Sequence, residues 1–276
     1  MIHEKETGHS GDGAPLSPST DGAANLSSNP AISDEPDTGP FGHEGSSSSK
    51  TGTAGKSASN NIGEPWVPVI PHKLDCYPME RKIHGWAVIF YFENFEAKLG
   101  LERREEVKKD VENLRSIFTK RGFHVKEHPD LTRSAIIKEL DSIAVSEELK
   151  NLECLVVFFL SHGRKDYLYV KDDEFEEEKL WSQFYKCEAL FGKPKLFFIQ
   201  VAWKSKKLGS YFIYTLCKVM EKHSQDMDVV KMLTMVAQIV AFQFKTQHKE
   251  PHNNEKKQMP TIRSTLTREV YLRPKP

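Results

Sequence analysis

The 276 residues carry 39 basic and 39 acidic side chains, a formal charge of zero, and no apolar run long enough to span a bilayer. That balance argues against a nucleic-acid binder and against an integral membrane protein, and it leaves room for one medium-sized core. The opening MIHEKETGHSGDGAP has neither the basic nor the apolar stretch of a secretory leader, so a cytoplasmic setting is expected. Cys76, Cys154, Cys187 and Cys217 are irregularly spaced, which predicts reduced thiols, no structural metal and no cofactor.

In chain order, residues 1–62 hold only seven of the large apolar and aromatic types V, I, L, M, F, W and Y. Such a stretch cannot bury enough surface to offset chain entropy, so a disordered Ser/Gly-rich prodomain is expected, followed by a linker over 63–78. WAVIFYF (86–92) reads as a strand, and Val107, Val111, Leu114 and Phe118 then recur at helical spacing. Phe123–Val125 predicts a short return strand. Thr132 is a candidate N-cap for a helix that turns Ala135, Ile136, Leu140 and Ile143 inward. CLVVFFL (154–160) is apolar on both faces, which predicts a central strand covered from two sides. Phe197–Gln200 repeats that character after a charged excursion. Helices are expected over 210–222 and 229–244, the second with a stripe of Val229, Leu233, Val236, Val240 and Phe244. The alternation over 261–267 and the closing VYL predict a last paired strand. Alternating strands and helices imply an α/β fold, a mostly parallel central sheet with helices on both faces.

In such a sheet chemistry gathers beyond the carboxyl ends of the strands, where SHG (161–163) and QVAWK (200–204) both stand. With FFLSHG, GKPKLFFIQ, GSYFIYTLC, MLTMVAQIVAFQF and KKQMPTIRSTLTREVYL, these segments resemble the caspase family, peptidase C14, across nearly all of residues 79–272, in an insect effector-type pattern. The resemblance implies a large-subunit-like part over 79–204 and a small-subunit-like part over 205–276. It implies His162 as the general base or acid and Gly163 as an oxyanion donor. It places Arg104 and Gln200 in a pocket that reads a substrate aspartate, with the bidentate geometry that favours arginine.

Three departures shape the functional expectation. Ala202 stands where the family carries its nucleophilic cysteine, and a methyl group cannot attack a carbonyl. Only eight residues separate Gln200 from Gly209, without an aspartate, so one core strand, the activation linker and a second arginine loop are expected to be missing. Glu106 follows Arg104 closely and would disfavour an acidic ligand. The resulting expectation is a protein that is not an enzyme, an inactive homologue or decoy that regulates apoptotic caspases by binding an active caspase or competing for a caspase regulator, with self-association possible and neither nucleic acid nor membrane as partner. An aspartate-specific cysteine endopeptidase and a poorly folded splice product are the alternatives. DEPD (34–37) resembles a caspase cleavage sequence, which makes Asp37 a cleavage candidate.

Overall fold

The structure, a computed structural model, describes residues 76–201, 204–205, 208–245 and 255–275. All of them belong to the unit Pro65–Pro276. The prodomain, most of the linker, Asp37 and Ala202 lie outside the described residues.

Strand β1 (Gly85–Tyr91) leads into helix α1 (Val107–Thr119), whose buried face carries Val107, Val111, Leu114, Ile117 and Phe118, the 3.6-residue stripe legible in the sequence. Strand β2 (Phe123–Pro129) is longer than the three residues predicted. Its register, Gly85↔Phe123 to Tyr91↔Pro129, matches it to β1 along its whole length. Helix α2 (Arg133–Ala144) starts where expected, with the Thr132 side chain accepting from the Ala135 amide at 3.3 Å. Strand β3 (Cys154–Leu160) is buried at every position.

The chain then forms three short strands that the sequence reading passed over as a charged excursion, β4 (Gly163–Arg164), β5 (Tyr167–Tyr169) and β6 (Glu174–Glu176), an antiparallel sheet of its own. Helix α3 (Lys179–Ser182) and strand β7 (Lys195–Gln200) follow. The two-residue strands β8 (Lys204–Ser205) and β9 (Gly209–Ser210) pair antiparallel, and helices α4 (Tyr211–His223) and α5 (Val229–Gln243) complete the fold.

The main sheet runs β2-β1-β3-β7, parallel throughout. It separates two hydrophobic clusters, and the side chains of β3 alternate between them. Val156, Phe158 and Leu160 join α1, α4 and α5, whereas Leu155, Val157 and Phe159 join α2 and the strands of the small sheet. That double covering is why β3 has no polar position. Aromatic rings fill the α1 side, where Phe158 stacks on Phe198 at 4.8 Å and meets Phe118 edge-on at 5.2 Å.

Two expectations need correction. Residues 261–267 form no strand, and the side chains of 261–265 are all exposed, so their alternation has no buried face to fix it. The VYL segment likewise forms no strand of its own. Only Glu269 pairs, in an isolated parallel bridge with Cys76. In the stripe of α5, Met232 is buried whereas Leu233 is half-buried.

Candidate functional site

The carboxyl ends of β1, β3 and β7 meet, and Arg104, His162, Gly163 and Gln200, singled out from the sequence, collect there; Ala202 and Asp37 are outside the described residues. Leu160 is in register with Gln200, and the Gln200 carbonyl accepts from the Ser161 amide at 3.1 Å. The Phe92 amide donates to the Leu160 carbonyl at 3.0 Å, and the Arg104 amide donates to the Glu93 carbonyl at 2.9 Å, which draws the segment before α1 onto the same edge. At Gly163 a Cβ would lie 2.7 Å from Val201 Cγ1 and 3.1 Å from the Tyr167 carbonyl oxygen. A side chain at 163 would therefore press the two strand ends apart.

His162 is held from three sides. Its Nε2 donates to the Glu102 carbonyl at 2.9 Å, its ring packs against Phe95 at 5.1 Å, and its own carbonyl accepts from the Tyr169 amide at 2.9 Å. A carbonyl can only accept, so this bond assigns the proton of the neutral ring to Nε2 and leaves Nδ1 as the nitrogen able to take one. The small sheet β4-β5-β6 is what steadies the histidine. It departs directly from the end of β3, and the Ser161 hydroxyl donates to the Tyr169 carbonyl.

Arg104 is only 2% exposed, and its Nη1 is buried without a hydrogen-bond partner. Burial pushes its pKa down to about 10, against the pull of Asp110 first and Glu106 second. Asp110 is the larger counter-charge, and the sequence reading missed it. It lies within the buried stripe of α1, where an acid among Val107, Val111 and Leu114 is the signal that could have found it. Its Oδ1 accepts from the Ser210 amide at 2.9 Å and its Oδ2 accepts from the Ser210 hydroxyl at 2.5 Å. Burial still raises its pKa to about 6, because the two bonds and Arg104 offset only part of the desolvation.

Glu93, buried on the other side of the 103–104 segment, pairs with Arg103 at 2.5 Å and Lys108 at 3.0 Å. Those two bonds hold its carboxyl below the usual range despite burial. It fixes the backbone that carries Arg104.

Cys154, Cys187 and Cys217 are buried, and burial pushes the Cys217 thiol up to about 12 and the Cys154 thiol higher still. Cys154 begins β3 whereas His162 follows its end, a separation of about 25 Å along an extended strand. Cys76 is exposed and bridges to Glu269. No group of three or more His, Cys, Asp or Glu side chains among the described residues could hold a metal ion, and no helix there is long and apolar enough to cross a membrane.

The caspase domain family model matches residues 84–202 and 200–271. Caspase-7 of Gallus gallus is 28% identical over 248 residues, covering 71% of this chain and 79% of that protein. Caspase drICE of Drosophila melanogaster is 28% identical over 241 residues, covering 70% of each. Among solved structures, that of Caspase-1 from Spodoptera frugiperda is 28% identical, covers 76% of this chain and 99% of that one, and superposes with a TM-score of 0.71. The sheet and helices described above are thus a caspase-like fold.

These findings overturn the expectation, drawn from Ala202, that the chain is not an enzyme. The relatives are caspases by name, the family match runs through position 202, and that residue lies outside the described ones, so no geometry stands behind the expectation. One side chain in a sequence is an observation about that position, whereas activity belongs to the assembled site.

Proposed function

Because the chain belongs to the caspase domain family, we propose that it acts in apoptosis on caspases themselves, in the cytoplasm, by binding an active caspase or competing for its regulators. The observation that carries this reading is the edge formed by β7. Among the described residues no strand lies beyond it in the main sheet. The Pro194 carbonyl accepts from the Leu155 amide and the Gln200 carbonyl from the Ser161 amide, each at 3.1 Å. In a parallel ladder the even positions therefore serve β3, and Lys195, Phe197 and Ile199 turn their peptide groups to the opposite edge. Phe197 and Ile199 are half-buried beside it, the chemistry of a strand that accepts another extended chain.

Immobilised full-length chain is expected to retain a purified effector caspase. Ile199→Lys, which puts a charge on that edge, should weaken retention about tenfold, or about 1.4 kcal/mol. Equal retention by both proteins would remove the edge as the docking site.

The arrangement around Arg104 and His162 favours a second reading, an aspartate-specific cysteine endopeptidase. A buried guanidinium with an unused Nη1 suits a carboxylate, and His162 is oriented with Nδ1 able to accept a proton. Binding of a fluorescent peptide ending in aspartate should fall about tenfold to a hundredfold in Arg104→Gln, since a charge-assisted bond contributes about 1.5–3 kcal/mol. Turnover of an Asp-terminated fluorogenic peptide that His162→Ala abolishes would favour this second reading over the first. Peptide affinity unchanged by Arg104→Gln would count against aspartate recognition at this site.

A further inference from the structure

Away from the strand ends, α4 and α5 enclose a groove of about 400 Å³, lined by Tyr214, Thr215, Lys218, Val219, Met235 and Ile239 among others. Its base is apolar, with Val219 buried and Met235 and Ile239 half-buried. Phe244, stacked on Tyr211 at 4.5 Å, borders the groove near the start of α4. Toward the other end of α4 the border is basic, with Lys218, Lys222 and His223.

A second observation points to a ligand. Thr215 lines the groove and is 3% exposed, yet its Oγ1 is buried with no hydrogen-bond partner. A threonine in a helix can satisfy its hydroxyl on the carbonyl four residues back, as Thr234 does on Val230 at 3.0 Å in the facing helix. Thr215 does not, and an unmade bond at a buried hydroxyl is costly unless something else completes it. Thr215, Lys218 and Lys222 stand at i, i+3 and i+7 and so share one stripe of α4. Lys218 is exposed and shares its charge with Glu221 at 3.2 Å, and Lys222 has no ion pair among the described residues. One donor and two cations thus line up above an apolar floor, within the size range of small-molecule sites.

We propose that this groove binds a free medium-chain fatty carboxylate. Its carboxylate accepts from the Thr215 hydroxyl and pairs with Lys218 and Lys222, and its aliphatic body lies on Val219, Met235 and Ile239. The sign of the rim selects an anion, and a buried, unpartnered Thr215 hydroxyl beside an apolar floor, in a lining that also holds Tyr214 and Gln243, selects a molecule with one polar end.

Decanoate, kept below its micellar concentration, is the probe, titrated calorimetrically into the full-length chain. A saturable one-to-one isotherm is expected. Lys222→Glu, at an exposed position that leaves the fold intact, should weaken it about tenfold, and Thr215→Val should weaken it several-fold without lowering the melting temperature. Decylamine should not compete. Several results would each overturn the proposal: no saturable binding, affinity indifferent to both substitutions, equal binding of decylamine, or association only with anionic vesicles that lack free carboxylate.

Discussion

Replacing Gly209 by alanine is expected to destabilise the folded chain by about 4 kcal/mol and to dislodge the carboxylate beside Arg104. Gly209 has φ of +83°, a region that side chains bearing a Cβ enter at a cost of about 1–2 kcal/mol. A Cβ there would also fall 2.3 Å from Asp110 Oδ1, so the carboxylate must move. Moving it breaks its bonds to the amide and hydroxyl of Ser210 in a buried setting, where an orphaned partner costs about 1–3 kcal/mol. Urea unfolding of the two proteins measures the sum. A loss below about 1 kcal/mol would mean that the β8–β9 hairpin yields without disturbing α1, and that Asp110 is not held as described.

The second large effect is a pH dependence that Asp110→Asn should remove. Burial raises the Asp110 carboxyl from its ordinary 3.8 to about 6. Between those values the folded protein holds the proton more tightly than the unfolded chain, so stability falls as pH rises. The contribution is fully present below about pH 4 and is lost once the pH has passed about 6. A rise from 3.8 to about 6 corresponds to about 3 kcal/mol. Asparagine is nearly isosteric, its Oδ1 can still accept from the Ser210 amide, and it does not titrate. The stability of the variant relative to the wild type should therefore improve by about 3 kcal/mol between pH 4 and pH 7, read from urea midpoints at each pH. A difference that is constant across that range would show that Asp110 does not carry the raised value.

Both effects converge on Arg104, which ties stability to the site. Asp110 is the first charge that offsets the burial of the guanidinium, and it is itself positioned by the turn at Gly209–Ser210. The buried Arg104 thus depends on a hairpin that begins only a few residues after β7 ends. Eight residues separate Gln200 from Gly209, and among the described residues of that span β8 pairs with β9 while β7 is the last strand of the main sheet.

Periodicity alone determined the central architecture. Seven consecutive apolar residues at 154–160 suit a strand covered on both faces, and the stripes of α1 and α5 are buried against such a sheet. Motif spacing likewise brought His162, Gly163 and Gln200 to neighbouring strand ends, because parallel strands connected through helices deliver their carboxyl ends to one side.

Tertiary structure decided what local pattern could not. The alternation at 261–267 matches a strand, but alternation specifies a strand only when one face has something to bury against, and these residues lie exposed. Strands β4, β5 and β6 are two or three residues long, too short for a periodic signal, and they form because they pair with one another beside the end of β3. The tautomer of His162 was set by a carbonyl sixty residues earlier in the chain, and the charge balance of Arg104 by an aspartate whose partner, Ser210, lies one hundred residues later. Such pairings depend on distance in space, whereas the sequence records only distance along the chain.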